Sequence, residues 1–490
     1  MRATLILLGA LTCCAALLYL EEPHWYVGAP LLSLFFILAW TTHALWEKDC
    51  GLPLFDIGLA CVLATFVYSA MPLIAFWVNG FTFGGLNDGR LMHYSPTPEE
   101  LGNFHWRHVL YLAALALSYV ISRQTSHLPT GKVESADTSQ RIAILFLFFL
   151  LWSFYIALEL VTGFSAMESY TSDNYMANLE VLSSLPLIVQ QIFGKINSYY
   201  NLAKLAVLFL MIQKCHYKGW RFILLIWLLC EFAFTFQMKA GRSGFVFLVI
   251  GAALMYHRLV APFSLRFLVT AGVLFLALFV FMGIHRGQAS LADTQELISL
   301  TQGGLLGVGG EFESLLATAY DVYKRAVVGD AEVPWYVYMY DLHALLPPQQ
   351  IMPFEKVAAS EWYLRLLGIS GEGAGYMWGV ISQSIVGLGW TELALRGCLL
   401  GFILAQIHQW YMRRHDLFWA NLIYIYLCIR IYYTFRDTTG ALLTIVVWEV
   451  LPFLVMVLVI RALVPASGAR EMQTIRSNVQ GMGTRLLHLE

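Results

Sequence analysis

Apolar runs of membrane-crossing length alternate with short polar connections along most of this chain. Roughly a dozen stand out: Thr4–Leu20, Pro30–Trp46, Phe55–Val78, His108–Ile121, Ile142–Thr162, Ile196–Ile212, Phe222–Met238, Ser243–Tyr256, Phe267–Ile284, Cys398–Tyr411, Leu417–Tyr433 and Leu442–Leu463. A helix needs about 20 apolar residues to cross the hydrocarbon core of a bilayer. Each run is therefore predicted to be a transmembrane helix, and the fold class is all-α. Pro72 lies inside the third run and is expected to kink it, because proline removes one helical hydrogen bond.

The alternation is broken once, by a long, aromatic-rich loop between the ninth and tenth runs. The chain thus divides into an N-terminal bundle of about nine helices over 1–284, a large loop over 285–396, C-terminal helices over 397–464 and a tail over 465–490. Within the loop, Glu311–Arg325 places Phe312, Leu315, Leu316, Ala319 and Val322 on one side, acids in its first turn and Lys324-Arg325 in its last. That pattern predicts an amphipathic helix with charges matched to its dipole. Gly371–Trp390 is apolar and glycine-spaced, and reads as a re-entrant segment or a membrane-surface helix.

Charge orients the bundle. Short cytoplasmic loops carry an excess of Lys and Arg. With Arg2 inside, alternation collects Lys48, Arg123, Lys132, Arg141, Lys214, Lys218, Arg221, Arg258, Arg266, Arg413 and Arg414 on that side. The basic tail joins them, while the opposite connection Phe164–Leu185 is acidic. Both termini are then cytoplasmic and the large loop is outside. The first run lacks a small-x-small cleavage site and is read as a retained helix rather than a signal peptide.

Composition agrees with lipid as the main solvent. Of 490 residues, 59% are hydrophobic and only 13% charged, with mean hydropathy +0.65, against about 25% charged in soluble domains. The net charge of −2 argues nothing about nucleic acid, but no basic run resembles a nucleic-acid footprint, and no nucleic-acid partner is expected. The eight cysteines form no CxxC pair and no readable disulfide framework.

Absences narrow the chemistry. There is no P-loop, dinucleotide-binding glycine pattern, HExxH or GxSxG, and the cytoplasmic connections are too short for a nucleotide-sugar domain. An enzyme of this layout draws its reactants from the membrane, where a lipid-linked diphosphate donor already carries its leaving group; no nucleotide cofactor is expected.

Arg242, Arg286 and Arg436 each stand at the outer end of a different helix, beside glycine or a small hydroxyl residue, and Arg430 lies in the run before Arg436. Guanidinium forks suit a diphosphate, and near-membrane arginines are costly unless paired or functional. Taken singly, each is as well read as an interfacial anchor; taken together, the first three point to a site.

Glu311, Glu313, Asp437, His285 and His343 are candidate general bases. The two glutamates also suit a helix start, His343 suits packing against Tyr340, and Asp437 is expected to pair with Arg436 or Arg430. Glu392 and Arg396, at i,i+4 spacing, are expected to pair. Trp335 and Trp362 could stack on a sugar or belong to an interfacial aromatic belt. Glu21-Glu22 is a faint echo of the acidic first-loop pair of metal-dependent lipid-donor glycosyltransferases.

Ala64–Phe76 with Tyr68 and Pro72, the Gly241-Arg242-Ser243 helix start, Gly283–Gly287 and the single large outer loop together resemble the Wzy-type O-antigen or oligosaccharide repeat-unit polymerases of the bacterial inner membrane. The resemblance covers most of the chain by topology, through short motifs. It implies a glycosyltransferase-C-like helical core and transfer of a growing chain from undecaprenyl diphosphate to a lipid-linked repeat unit, without a metal. It further implies a flippase and a chain-length regulator as partners, and roles for Arg242, Arg286 and, by extension, Arg436.

The chain departs from the arginine-x10-glycine spacing of some members. Gly375 and Gly440 fall one residue early relative to Arg365 and Arg430. Two other functions fit the topology. An O-antigen ligase-like transferase would lean on His343. A lipid-linked oligosaccharide flippase would place charge in a central cavity and repeat one half in the other; the charges here collect at one outer rim and no such repeat is visible.

Overall fold

The computed structural model describes residues 22–49, 55–83, 89–124, 133–162, 187–237, 242–261, 263–264, 267, 270–272, 309–345, 359–368 and 377–463. These residues are all-helical, with no strand among them. Four helices are long and apolar enough to cross a membrane: Glu22–Lys48, Ile57–Val78, Trp390–Met412 and Ala441–Leu463. Shorter apolar helices run over Thr138–Phe154, Ser198–Ile212 and Phe247–Leu259. The first expected span, Thr4–Leu20, and most of the ninth, Phe267–Ile284, lie outside the described residues.

Helices α1 (Glu22–Asp49), α2 (Ile57–Val78), α3 (Gly89–Tyr94) and α4 (Pro98–Ser122) open the chain. Next come α5 (Thr138–Thr162), α6 (Leu187–Ile212), α7 (Lys218–Gln237) and α8 (Arg242–Leu259). The long connection contributes α9 (Gly309–Val322), which continues as a π turn over Tyr323–Val328, then α10 (Trp335–Tyr338), α11 (Tyr340–Leu345), α12 (Ala359–Leu366) and α13 (Gly379–Val386). The chain closes with α14 (Trp390–Met412), α15 (Phe418–Arg430), α16 (Tyr433–Arg436) and α17 (Ala441–Ile445), the last passing through a π turn, Val446–Val450, into α18 (Leu451–Leu463).

Several helices begin earlier than their apolar runs, α4 and α14 among them. α4 starts at Pro98 rather than near His108, because Thr97 and Glu100 form a capping box and proline occupies the first turn. α14 starts at Trp390 rather than Cys398, inside the stretch read as loop. Its first turn is polar, and those groups satisfy one another: Glu392 accepts from the Leu388 N–H at 2.8 Å and from Arg396 Nε at 2.7 Å. Polar residues paired in this way carry a helix past the end of its apolar run.

The ends of the bundle are distinguished by their polar bonds. At one end Lys48 donates to the Val120 and Arg123 carbonyls, Gln409 reaches the Ser122 carbonyl at 2.9 Å, and Arg461 pairs with Asp137 at 3.0 Å. There too, Arg258 Nε lies 3.2 Å from the Tyr411 hydroxyl. This basic end is anchored by Asp56, which caps α2 through the Leu59 N–H at 2.8 Å. The same carboxylate accepts from the Tyr119 hydroxyl at 2.8 Å and faces Arg123 Nε at 3.2 Å. Both charges are buried, a geometry tolerated only where partners replace water.

Helices α4 and α14 pack with their backbones close together. A Cβ on Gly397 would meet the Tyr111 carbonyl at 2.8 Å, and one on Gly401 would run into the Leu115 carbonyl. Ser118 Oγ donates to the Cys398 carbonyl at 2.6 Å across the same seam. This is the small-xxx-small solution to helix packing in lipid.

The segments α9 to α13 lie against the opposite end. Tyr68 on α2 meets Phe312 on α9 at 4.9 Å between ring centroids, and Lys324 pairs with Glu100 at 3.2 Å. The expected helix at Glu311–Arg325 is present, but it is a core element: Leu315, Leu316, Ala317, Ala319, Tyr320 and Val322 are all buried, with Glu313, Thr318 and Asp321 among them. All eight residues of α13 are buried as well, so the glycine-spaced stretch holds a short internal helix rather than a surface one. Gly379 at its start has φ +78°, and a Cβ there would come within 2.7 Å of Leu315 Cδ1.

Candidate functional site

The turn joining α15 to α17 lies at the end opposite the basic one, and it gathers much of the chemistry. Arg430 closes α15, and its guanidinium stands 4.2 Å from the Tyr433 ring centroid. Arg436, at the end of α16, lies 6.0 Å from the same ring. Two of the sequence-predicted arginines therefore flank one tyrosine.

Helix α8 begins at Arg242 and runs antiparallel to α15. Near its start Phe247 packs on Tyr426 at 5.7 Å, while Arg258 at its far end reaches Tyr411 at the basic end. The start of α8 thus belongs to the same end as Arg430 and Arg436. The Arg242 side chain, all of Arg286, and the side chains of Glu311 and His343 lie outside the described residues.

For Asp437 the expected partner Arg430 is corrected, while Arg436 acts on it as a neighbouring charge. Its carboxylate accepts from the Tyr340 hydroxyl at 3.2 Å, while Arg430 pairs with Glu449 at 2.9 Å. The reason is local: α16 is a single short turn between Arg430 and Asp437, and the π turn in the last helix brings Glu449 to Arg430 instead. Burial raises the Asp437 carboxyl to about 6, with the neighbouring Asp341 adding to the rise; the Tyr340 hydroxyl and Arg436 oppose it. Burial and the Asp437 charge likewise push the Tyr340 hydroxyl well above its ordinary range.

Asp341 was not singled out from sequence, yet it joins loop to bundle. It accepts from the Gly440 N–H at 3.1 Å and pairs with Arg396. Arg396 also holds Glu392 at 2.7 Å, as expected from their spacing, and donates to Thr439 at 2.8 Å. Gln383 on α13 completes the attachment by donating to the Val337 carbonyl at 2.9 Å. Helices α10 and α11 are thereby strapped across the turn that carries Arg436 and Asp437.

A second buried carboxylate, Asp321 on α9, accepts from the hydroxyls of Tyr94 and Tyr363, the latter at 2.5 Å, and from Arg325 Nε at 3.0 Å. Burial, reinforced by Asp321, raises the Tyr94 hydroxyl to about 12. Through these bonds Asp321, itself buried, staples α3, α9 and α12. Glu313 is 1% exposed on the same helix, well inside the fold. Trp362 is buried edge-to-face against Trp378 at 5.8 Å, so little of its ring is left to stack on a sugar. Trp335 is 65% exposed on the strap and meets Tyr336 edge-to-face at 6.2 Å. Among the described residues, no three His, Cys, Asp or Glu side chains sit together as a metal site.

The fold and this rim define the class: an all-helical membrane protein whose cations and carboxylates converge at the end of the bundle opposite its basic one. Comparison with protein-family models, curated proteins and solved structures finds no match to the chain.

Proposed function

We propose that the protein is a glycan polymerase of the Wzy type. It would join undecaprenyl-diphosphate-linked repeat units at the periplasmic face of a bacterial inner membrane, with about twelve spans, cytoplasmic termini and the long loop as a periplasmic lid. The observation that carries this reading is the convergence of Arg430 and Arg436 on Tyr433, with the start of α8 at the same end and a strap laid across the turn. A rim of fixed guanidinium groups suits a diphosphate headgroup: it supplies charge and forked donors where a flexible ammonium supplies only a point charge.

In the proposed reaction, the bond from the donor sugar's anomeric carbon to the diphosphate breaks, and the electron pair leaves with the diphosphate. Arg242, Arg286 and Arg436 neutralise the charge that builds there, an effect worth several kcal/mol when such groups are preorganised. The acceptor sugar's hydroxyl oxygen forms the new bond and gives its proton to a carboxylate. Asp437, at the rim beside Arg436 and raised to about 6, suits that task better than the buried Glu313. A general base works best when its pKa lies near the operating pH. Trp335 on the strap offers a face to the glycan, and a flippase and a chain-length regulator would act before and beside this step.

The test is complementation of a strain lacking the gene. Arg242→Lys, Arg286→Lys and Arg436→Lys are each expected to abolish polymer while single repeat units still reach the surface, read as the ladder on a polysaccharide gel. Normal ladders in all three would remove the assignment. His343→Ala is expected to leave the ladder intact; loss of whole-glycan transfer in that variant would favour the ligase-like alternative.

A further inference from the structure

The ion pair between Arg430 and Glu449 is built unevenly. Glu449 sits on the π turn of the closing helix and is buried, whereas the Arg430 side chain keeps 20% of its surface. Nη2 of the guanidinium reaches the carboxylate at 2.9 Å, and the Arg430 Nε, itself buried, has no hydrogen-bond partner among the described residues. A guanidinium normally grips a carboxylate or phosphate with two parallel bonds, so half of this fork is unused. The Tyr433 ring covers the guanidinium at 4.2 Å and steadies its plane.

Glu449, by contrast, has donors in reserve. Tyr426 gives its hydroxyl to Oε2 at 2.5 Å, and Ser198 on α6 gives its own to Oε1 at 3.1 Å. Tyr199 stands beside them, bonded to the Trp448 carbonyl at 3.0 Å. These hydroxyls keep the carboxylate hydrogen-bonded when the arginine shares itself with another anion. A buried charge is tolerated only where such donors replace water.

We infer that Arg430 and Glu449 form an exchangeable pair, in which Glu449 is the resident counter-anion and a phosphate oxygen of a prenyl diphosphate takes the free side of the arginine fork. The inference rests on the reading of the rim given above and names the residue that regulates it. π turns inside α-helices recur at functional sites, and here the turn is what delivers Glu449 to the arginine.

The experiment measures binding of farnesyl diphosphate, a short soluble prenyl diphosphate, to the full-length protein in detergent, with inorganic pyrophosphate as a second probe. Glu449→Gln removes the competing charge and is expected to tighten binding about tenfold, a typical size for coupling between two ligands of one group. Tyr426→Phe is expected to weaken it severalfold, because a carboxylate deprived of that hydroxyl leans harder on Arg430. Arg430→Met is expected to lose most of the affinity.

The opposite signs at Glu449 and Tyr426 separate exchange from general damage. If Glu449→Gln does not purify as a monodisperse protein, Glu449→Ala, which also removes the competing charge, takes its place and is expected to tighten binding in the same direction. Equal affinities in wild type, Glu449→Gln and Tyr426→Phe, with Arg430→Met weakened, would overturn the exchange and leave the diphosphate reading standing. Failure of the wild type to bind farnesyl diphosphate would remove both. Tightening of pyrophosphate as well as farnesyl diphosphate by Glu449→Gln supports exchange driven by the phosphates alone; tightening of farnesyl diphosphate only ties it to the lipid-linked form.

Discussion

At the residue scale, Asp437 combines a half-buried carboxyl, the Tyr340 hydroxyl and the nearby Asp341 charge, and its pKa rises from 3.8 to about 6. A carboxyl raised in the folded state favours folding while protonated. That contribution is fully present below the unfolded value near 4 and is lost as pH rises through about 6. Wild-type thermal stability is therefore expected to fall between pH 4 and pH 7 more steeply than that of Asp437→Asn, whose amide does not titrate. Parallel profiles for the two proteins would contradict the assignment. The glutamate–arginine pair at 392 and 396 was readable because helical spacing alone brings it together. Asp341, Asp56 and Glu449 were not readable as partners, since Gly440, Arg123 and Arg430 reach them through tertiary folding.

At the scale of elements, helices were legible wherever apolar runs were long, and their polar first turns were not. The capped start of α4 and the paired first turn of α14 both extend beyond the hydropathy signal. The Gly397-Cys398-Leu399-Leu400-Gly401 spacing was a signal available in the chain, and the α4–α14 seam shows its purpose. Gly401→Leu would drive a side chain into the Leu115 carbonyl and the Tyr119 N–H, both backbone groups that cannot swing aside. Overpacking of this kind costs about 1–3 kcal/mol, occasionally more. A lowered melting temperature, with α4 and α14 no longer joined by a disulfide engineered across the seam, is the expected result; an unchanged melting temperature would show that the helices can part without penalty. The π turns at Tyr323–Val328 and Val446–Val450 carry no comparable mark, because a widened turn is made by its surroundings rather than by its own residues.

For the whole molecule, the two ends differ in kind: one is basic and bonded helix to helix, the other carries the strap and the arginine turn. If the basic end is cytoplasmic, as the positive-inside rule predicts, cysteines introduced at Thr82 and Asp416, both exposed and at opposite ends, will label differently with a membrane-impermeant maleimide in intact spheroplasts. In a background lacking the eight native cysteines, position 82 should react and position 416 should react only after lysis. The reverse pattern would invert the topology and move the rim to the cytoplasm. Sequence alone sufficed for the helical class. It did not suffice for the strap, whose attachment depends on Asp341, Gln383 and Tyr340 meeting partners in other segments.

The polar anchor at the basic end also sets a timetable for biosynthesis. The Ile57 N–H, beside Asp56, donates to the Tyr424 hydroxyl at 2.9 Å, and those residues are 367 positions apart. At ribosomal speeds of roughly 5–20 residues per second, α2 waits on the order of 20 to 70 s after emerging before that tyrosine exists. Through that interval the nascent amino-terminal half holds the Asp56 carboxylate with the Leu59 N–H, the Tyr119 hydroxyl and Arg123, before the His408 ring that meets Arg123 at 3.0 Å has been made. Chaperoning by the insertion machinery is the condition this places on the cell.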